Sequence, residues 1–200
     1  MSGYGLIMGK SVNAFLAKAG SLIVELKERA DVSPFIVSEL NALFPKVKEA
    51  MAKIKELETN IESIAKTLKH YDLFQSALGV GPITAATMLV LLCNPAVFKN
   101  GREFAAYIGL APKSSGSGGK NFVTHIPKKC ECNNDVRALL VQCAHSICRC
   151  KHKSDWVSSI LARKPKKVAI IAIANKLARQ LWIMAKKGEK FEKRFILAAV

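Results

Sequence analysis

The sequence predicts a mainly α-helical protein in which a coiled-coil arm precedes a compact helical domain. Half of the 200 residues are apolar, which is enough to bury a core. Between Val37 and Leu68, apolar residues repeat at intervals of three and four over more than four heptads, with Lys and Glu between them. Such a repeat is typical of an amphipathic or coiled-coil helix. After Tyr71, apolar segments alternate with glycine, proline and serine breaks, which favours several short packed helices.

The predicted arm begins near Ser33-Pro34, where a proline suits the first turn of a helix. Pro45 interrupts the repeat and either kinks the helix or marks the true start of its longer part. The repeat consists of ten apolar positions: Val37, Leu40, Phe44, Val47, Met51, Ile54, Leu57, Ile61, Ile64 and Leu68. A stripe of this length favours a homo-oligomer formed through the arm. Packing of the helix on its own domain is the alternative.

These changes of pattern divide the chain into three parts. Residues 1–30 contain a short helix from Val12 to Leu26 and are predicted to be a helical remnant or linker without a core of their own. Residues 31–72 form the arm, and residues 73–200 form the compact domain. A further part upstream of this chain is expected.

The positive charge is concentrated in the third part. The formal net charge is +16, and residues 1–72 hold 10 Lys and Arg against 9 Asp and Glu, whereas residues 73–200 hold 21 against 6. A surplus of this size predicts a polyanionic partner, and nucleic acid, above all DNA, is the leading candidate. A lysine-rich surface that served solubility alone would spread the excess over the whole chain.

A membrane partner is not expected. The longest apolar stretches, Ile83–Cys93 and Val168–Ala174, are shorter than the roughly 20 residues that a spanning helix needs. The first residues lack the charged and long apolar regions of a secretory signal. We therefore expect a cytoplasmic protein whose six cysteines are reduced.

The segment from Leu73 to Ala86 has the form of a helix-hairpin-helix. Gly79-Val80-Gly81 is a glycine, apolar, glycine turn between two helical patterns. Such a turn directs backbone amides and a helix N-terminus at a DNA phosphate without reading bases, so Gly79 and Gly81 are candidate phosphate-binding residues. An ordinary tight turn between two helices is the alternative.

A serine-bearing glycine loop lies in the most basic part of the chain, from Ser114 to Lys120. Ser117 is followed by two glycines and a lysine, a pattern that presents a hydroxyl, unhindered backbone amides and a cation together. A serine that attacks DNA phosphorus would form a covalent phosphoserine without a nucleotide cofactor, although its hydroxyl needs an activating partner. A flexible linker is the alternative. Ser114 and Asn121 stand where a nucleotide-binding P-loop needs Gly and Ser or Thr, so ATP binding is not expected.

The cysteines raise the question of a zinc site. Cys130 and Cys132 form one C-x-C pair, and Cys148 and Cys150 form another. These spacings differ from the usual zinc pairs, and the second pair lies in a helical pattern that would direct the ligands apart. The sequence therefore predicts no metal site and no cofactor in this chain, with zinc left open.

The last predicted helix, from Val168 to about Lys187, carries a polar stripe. Asn175, Lys176 and Arg179 interrupt an otherwise apolar pattern. The stripe is either a solvated helix face or a face that contacts phosphates. The lysines just upstream favour phosphate contact as strongly as solvation. Lys176 and Arg179 are therefore further candidate DNA-binding residues.

Together these residues resemble one family, the Piv-like DEDD transposases of the one-hundred-and-ten group of insertion sequences and its eleven-eleven subgroup. The resemblance runs from about Tyr4 to Phe191. It rests on four matching segments: Leu78-Gly79-Val80-Gly81-Pro82-Ile83-Thr84-Ala85, the stretch from Phe98 through Gly101-Arg102-Glu103-Phe104 to Pro112, Ser117-Gly118-Gly119-Lys120, and Lys167-Val168-Ala169-Ile170 through Ala174-Asn175-Lys176-Leu177-Ala178-Arg179.

The resemblance implies a DNA recombinase with three parts. The full-length form has an N-terminal RuvC-like domain with four metal-binding acids, a coiled coil, and a C-terminal transposase domain with a serine nucleophile; some members use a structured guide RNA. This chain resembles only the coiled coil and the C-terminal part. Mg²⁺ is therefore expected only with the RuvC-like domain.

The matched positions imply specific roles. Ser117 is the implied nucleophile in DNA strand exchange. The residues implied to bind or support the phosphate are Gly118, Gly119, Lys120, Arg102, Lys128 and Arg137. The stretch from Lys128 to Asp135 departs from the family pattern by two extra residues and two cysteines. The competing function is a non-catalytic nucleic-acid-binding module or a truncated transposase that acts only by dimerisation or inhibition.

Overall fold

The structure is a computed structural model that describes residues 11–112, 114–117, 120–123, 133–151 and 153–190. Its secondary structure is mainly helical, as the sequence predicts. The chain separates into two compact units, Met1–Asn60 and Ile61–Val200.

The first unit contains helix α1, Val12–Glu28, and most of helix α2, Pro34–Lys66. Ser11 caps α1 by accepting a hydrogen bond from the Ala14 amide. A small core joins the two helices and consists of Ile23, Leu26, Val32 and Val37, with Leu22, Ile36, Leu40 and Phe44 packed against it. Residues 1–30 thus contribute Ile23 and Leu26 to a core that they share with the first turns of α2.

Helix α2 is continuous through Pro45 and begins at Pro34, so Pro45 does not mark its start. Its apolar stripe divides into two portions. Val37, Leu40 and Phe44 belong to the core shared with α1. The remaining large side chains are exposed from Ile54 onward, and these are Ile54, Leu57, Ile61, Ile64 and, just beyond the helix, Leu68.

The second unit is a helical domain around one core. After the end of α2 come α3 (Tyr71–Gln75), α4 (Pro82–Leu91), a 3₁₀ turn (Pro95–Val97), α5 (Gly101–Tyr107), strands β1 (Ser114–Ser117) and β2 (Lys120–Val123), α6 (Asn134–Arg149), α7 (Asp155–Arg163) and α8 (Lys166–Lys187). The largest fully buried side chains include Tyr71, Phe74, Phe104, Leu140 and Leu181.

Helix α8 lies at the centre of this domain and packs against α3, α5, α6, α7 and the 3₁₀ turn. Trp182 Nε1 donates a hydrogen bond to the Pro95 carbonyl oxygen at 3.0 Å, which joins α8 to the 3₁₀ turn. Within the described part of the chain, α8 is the one helix whose length and composition would fit a membrane span. Because more than half of its apolar window is buried in the domain, its composition is that of a core helix.

Two sequence predictions of this region need correction. The segment 114–120 was expected to be a loop, whereas β1 and β2 form an antiparallel pair in which Ser117 is the register partner of Lys120. The two residues between them in sequence are glycines, a pair typical of short hairpin connections. Helix α7 was not predicted, because it is only nine residues long and ends in a basic segment that was interpreted as a break.

Candidate nucleic-acid interface

Helices α3 and α4 are joined by a tight turn over residues 76–81, in the region where a helix-hairpin-helix was predicted. Pro82 is the first residue of α4, and Gly81 precedes it as the N-cap. Leu78 is exposed at the tip of the turn, whereas Val80 is buried. A helix, a glycine turn and a second helix are therefore present. That they bind DNA stays a prediction.

Gly79 is required by the backbone and by packing. Its φ is +80°, a conformation that side chains with a Cβ rarely adopt. A Cβ at this position would lie 2.7 Å from Ile147 Cγ1 and 2.8 Å from the Cys143 carbonyl oxygen, both on α6. The glycine thus lets the turn approach α6 closely, whether or not it also contacts a phosphate.

The other end of the turn is held by a polar contact in the core. Cys143 is buried, and its Sγ lies 3.5 Å from Thr84 Oγ1 on α4. Burial raises the pKa of the Cys143 thiol, while hydrogen bonds with the Thr84 side chain and the Gly81 backbone partly offset this rise. This thiol is a structural group that fixes the first turn of α4 against α6.

The candidate nucleophile lies on the β1–β2 pair. Ser117 is the last residue of β1, Lys120 is the first residue of β2, and the two are paired across the ladder. A hydroxyl-bearing residue and a lysine are therefore brought opposite each other on the backbone. Gly118 and Gly119, also predicted to bind phosphate, lie outside the described residues.

Two residues of the predicted polar stripe on α8, Asn175 and Lys176, contact other elements of the domain. Asn175 Nδ2 donates a hydrogen bond to the Leu110 carbonyl oxygen at 3.1 Å. Lys176 is only 8 % exposed, and its Nζ lies 4.0 Å from the centroid of the Trp156 ring on α7. Desolvation, followed by the nearby positive charge of Arg179, lowers the pKa of Lys176. These contacts join residues far apart in sequence, which explains why the periodicity of α8 alone did not reveal them.

A pocket opens beside Lys176. It is lined by Leu78 of the α3–α4 turn, Ser154 and Trp156 at the start of α7, and Lys176 and Gln180 on α8. Two of the predicted DNA-binding elements, the glycine turn and the lysine of α8, therefore meet at one pocket. Trp156 and Ser154 were not predicted as site residues, because their position beside Lys176 depends on the packing of α7 against α8.

Helix α5 contacts α8 one turn further along. A Cβ placed on Gly101 would lie 3.1 Å from the Arg179 carbonyl oxygen, so this glycine lets the start of α5 touch the backbone of α8. The adjacent Arg102 is exposed, and Asn100 caps its backbone amide. The structure therefore places Arg102 and Arg179, both predicted to bind DNA, on two helices in direct contact.

The remaining predicted cations are more widely spread. Arg137 lies in the first turn of α6 and is partly buried. Lys128 lies outside the described residues. Four further cations are exposed between the end of α7 and the first turn of α8, and these are Arg163, Lys164, Lys166 and Lys167.

The structure describes only some of the cysteines that raised the question of a zinc site. Cys148 and Cys150 are partly buried and lie at the end of α6. Cys130, Cys132 and His152 lie outside the described residues. Among the residues that the structure describes, no three His, Cys, Asp or Glu side chains lie close enough together to hold a metal ion.

Comparison with known proteins agrees with the resemblance at the level of the family. Residues 71–157 match the model of the family described as Transposase IS116/IS110/IS902. The match begins at α3 and extends through the glycine turn, α5, the β1–β2 pair and α6 into α7. It therefore contains most of the elements described above, and the matched domain is that of insertion-sequence transposases, a class of DNA-recombining enzymes.

Curated relatives extend the similarity along most of the chain, and those that follow are all named as transposases. A protein of Sinorhizobium fredii named as a candidate transposase is 32% identical over 185 residues, covering 88% of this chain and 47% of its own length. The transposase for insertion sequence element IS1111A of Coxiella burnetii is 27% identical over 193 residues, covering 94% and 52%. The transposase for insertion sequence element IS1328 of Yersinia enterocolitica is 29% identical over 176 residues, covering 86% and 52%. The chain thus spans about half the length of the curated relatives it matches.

Proposed function

We propose that this chain provides the DNA-binding, serine-bearing part of an insertion-sequence transposase, with Ser117 as its nucleophile. The observation that carries the proposal is the backbone pairing of Ser117 with Lys120 inside the segment that matches the transposase family. The unit that contains this pair, Ile61–Val200, holds 23 Lys and Arg against 8 Asp and Glu. A surplus of this size supports attraction to the phosphates of DNA.

The chemistry assigned to Ser117 is transesterification. Its Oγ attacks phosphorus, a new P–Oγ bond forms, and the P–O bond to one neighbouring sugar breaks. The hydroxyl proton passes to a base, and the released sugar oxygen takes up a proton. The product is a phosphoserine linkage that retains a phosphodiester for rejoining. Lys120 would stabilise the added negative charge on the phosphate oxygens.

We assign no metal ligand to the described residues. We propose instead that Mg²⁺ acts through the RuvC-like domain that the family resemblance implies. That domain would be supplied in the same or a separate polypeptide.

The proposed partners follow from charge and from α2. DNA is the main partner, and a structured guide RNA is a second polyanion that the same basic unit could bind. The exposed apolar residues of α2 support self-association through the arm.

The decisive experiment looks for a covalent protein–DNA species. The chain is combined with a RuvC-like domain, Mg²⁺ and insertion-sequence end DNA, and adducts are separated under denaturing conditions. Ser117→Ala should abolish the adduct and leave DNA affinity nearly unchanged, because the neighbouring cations and amides provide most of the phosphate binding. Ser115→Ala, two residues earlier on the same strand, is the matched control and should retain the adduct.

A second function is also consistent with the charge distribution, because a protein that only binds nucleic acid needs the same surplus of positive charge. In that case the chain is a non-catalytic nucleic-acid-binding module that acts by dimerisation or inhibition. Binding without an adduct under every complementation supports this second function. An adduct that persists in Ser117→Ala places the nucleophile at another residue.

A further inference from the structure

We infer that Asn175 is a positioning residue for the strand pair that carries Ser117. This inference rests on the proposed function for its catalytic consequence, although its structural part can be tested independently. The observation behind it is the hydrogen bond from Asn175 Nδ2 on α8 to the carbonyl oxygen of Leu110, at 3.1 Å and across 65 residues of sequence.

Leu110 is the point at which the chain leaves α5 and approaches β1. Its side chain is 1 % exposed, and its amide donates to the Ala105 carbonyl oxygen at 2.9 Å. The preceding residue, Gly109, has a φ of +76°, which turns the chain sharply away from the helix. With its carbonyl oxygen bound by Asn175, Leu110 is held by its side chain, its amide and its carbonyl group together.

This anchor precedes the strand pair by only a few residues of sequence. Ser114, the first residue of β1, follows Leu110 by four residues, and Ser117 follows it by seven. Because β1 begins four residues after Leu110, we infer that a change in the direction of the chain at Leu110 shifts the start of this strand and with it Ser117. A displacement of about 1 Å is enough to lower the rate of a positioned reaction by on the order of 100-fold.

Helix α8 is suited to hold this anchor because it is the central helix of the domain. The residues on either side of Asn175, Ala174 and Lys176, are buried, so the helix cannot turn without disturbing the core. An amide side chain at this position supplies a donor that the apolar residues of the same helix lack. Asn175 therefore connects the rigid core to the segment that delivers the nucleophile.

Two variants remove the donor in different ways. Asn175→Leu replaces it with an apolar side chain of similar size, and Asn175→Asp retains a polar side chain without the amide N–H. The second variant keeps the inference testable if the first fails to fold. Asn175→Gln retains the donor on a longer side chain and should restore part of the wild-type behaviour. Trp182→Phe is the matched control, because it removes another hydrogen bond from α8 to a backbone carbonyl, that of Pro95.

The first measurement is hydrogen exchange of the backbone amides of β1 and β2 in the full chain, without DNA. Loss of one net hydrogen bond should speed exchange about two- to tenfold in Asn175→Leu and Asn175→Asp. Trp182→Phe should leave this exchange at the wild-type rate. Unchanged exchange in both Asn175 variants would overturn the inference.

The second measurement is adduct formation in the complemented reaction described above. The two Asn175 variants should lower its rate about 10- to 100-fold at saturating DNA, with DNA affinity unchanged and partial rescue by Asn175→Gln. A parallel loss of affinity and rate, or an unchanged rate despite faster exchange, would overturn the inference. An adduct that survives Ser117→Ala would refute the proposed nucleophile, while the exchange result would still decide whether Asn175 positions the strands.

Discussion

The Nζ atom of Lys176 lies 4.0 Å from the centre of the Trp156 ring, so a lysine of the central helix is covered by an indole from α7. A cation over an aromatic face is stabilised by the ring. Lys176 lines the same pocket as Leu78 at the tip of the glycine turn. The contact with Trp156 therefore holds the Lys176 side chain beside this pocket.

The pH dependence of stability should reveal this buried lysine. Its folded pKa lies below the ordinary value of 10.5. Between the folded and unfolded pKa values, the Lys176 side chain binds more protons in the unfolded chain, so its contribution to the free energy of unfolding should rise as pH increases toward 10.5. The raised pKa of the buried Cys143 thiol acts in the opposite direction, and this contribution is common to the wild type and the variants. Lys176→Met should be free of this rise. Denaturant unfolding from pH 7 to 10.5 measures it.

Lys186→Met is the control for that measurement, because it removes an exposed lysine that lies 4.9 Å from the Trp182 ring of the same helix. This variant should keep the rise in stability with pH. Identical pH profiles for wild type and Lys176→Met would contradict the assignment of the rise to Lys176.

The two glycines of the α3–α4 turn should respond differently to alanine. Gly79→Ala forces a Cβ to within 3 Å of two atoms of α6 and into a positive φ. The combined strain should destabilise the domain by about 2–4 kcal/mol. At Gly81 an added Cβ would have no atom within 4 Å, and φ is −90°, so Gly81→Ala should cost no more than about 1 kcal/mol. Thermal and urea unfolding of both variants provide the comparison, and equal destabilisation would show that close packing on α6 is not what requires Gly79.

The sequence predicted most helices because their apolar patterns and capping residues are local. Pro34, for example, was expected in the first turn of a helix and is the first residue of α2. The pattern of α2 also predicted a helix correctly, but it could not show that Val37 and Phe44 pack on α1 while Ile54 and Ile61 stay exposed. Both groups have the same spacing, and only tertiary packing distinguishes them.

The candidate site was less predictable from sequence. Lys176 and Asn175 were identified as polar residues on an apolar helix, yet their partners, Trp156 and Leu110, lie 20 and 65 residues away. A side chain that bonds to a backbone carbonyl leaves no residue-type pattern at the acceptor, since every residue has such an oxygen. The predicted role of Ser117 stays a prediction, supported by its pairing with Lys120.

Self-association should depend on the exposed portion of the α2 stripe. Ile54 and Ile61 are one heptad apart and are 50% and 42% exposed. Lysine at both positions should convert oligomers to monomers in sedimentation velocity, because two charges would have to be buried in the helix interface. Val90→Lys, at an exposed apolar residue of α4, is the control and should leave the oligomer intact. A wild-type chain that is monomeric at high concentration would contradict this role of α2.

The lysines at the start of α8 should contribute to DNA affinity at the expense of helix stability. Lys164, Lys166 and Lys167 are exposed. Lys166 and Lys167 lie in the first turn of α8, at the positive end of its dipole, where no acidic residue offsets them, whereas Lys164 is the C-cap of α7. Replacing all three with glutamine should weaken DNA binding and reduce the slope of log K against log salt by about 0.9 for each phosphate that is no longer neutralised. The same change should leave the melting temperature unchanged or raise it, because unfavourable charges leave the helix N-terminus.

Glutamine at Lys186 and Lys187, near the opposite end of α8, is the matched control and should lower stability slightly while preserving the salt slope. Equal reductions of the slope by both sets would show that DNA responds to total charge rather than to this surface.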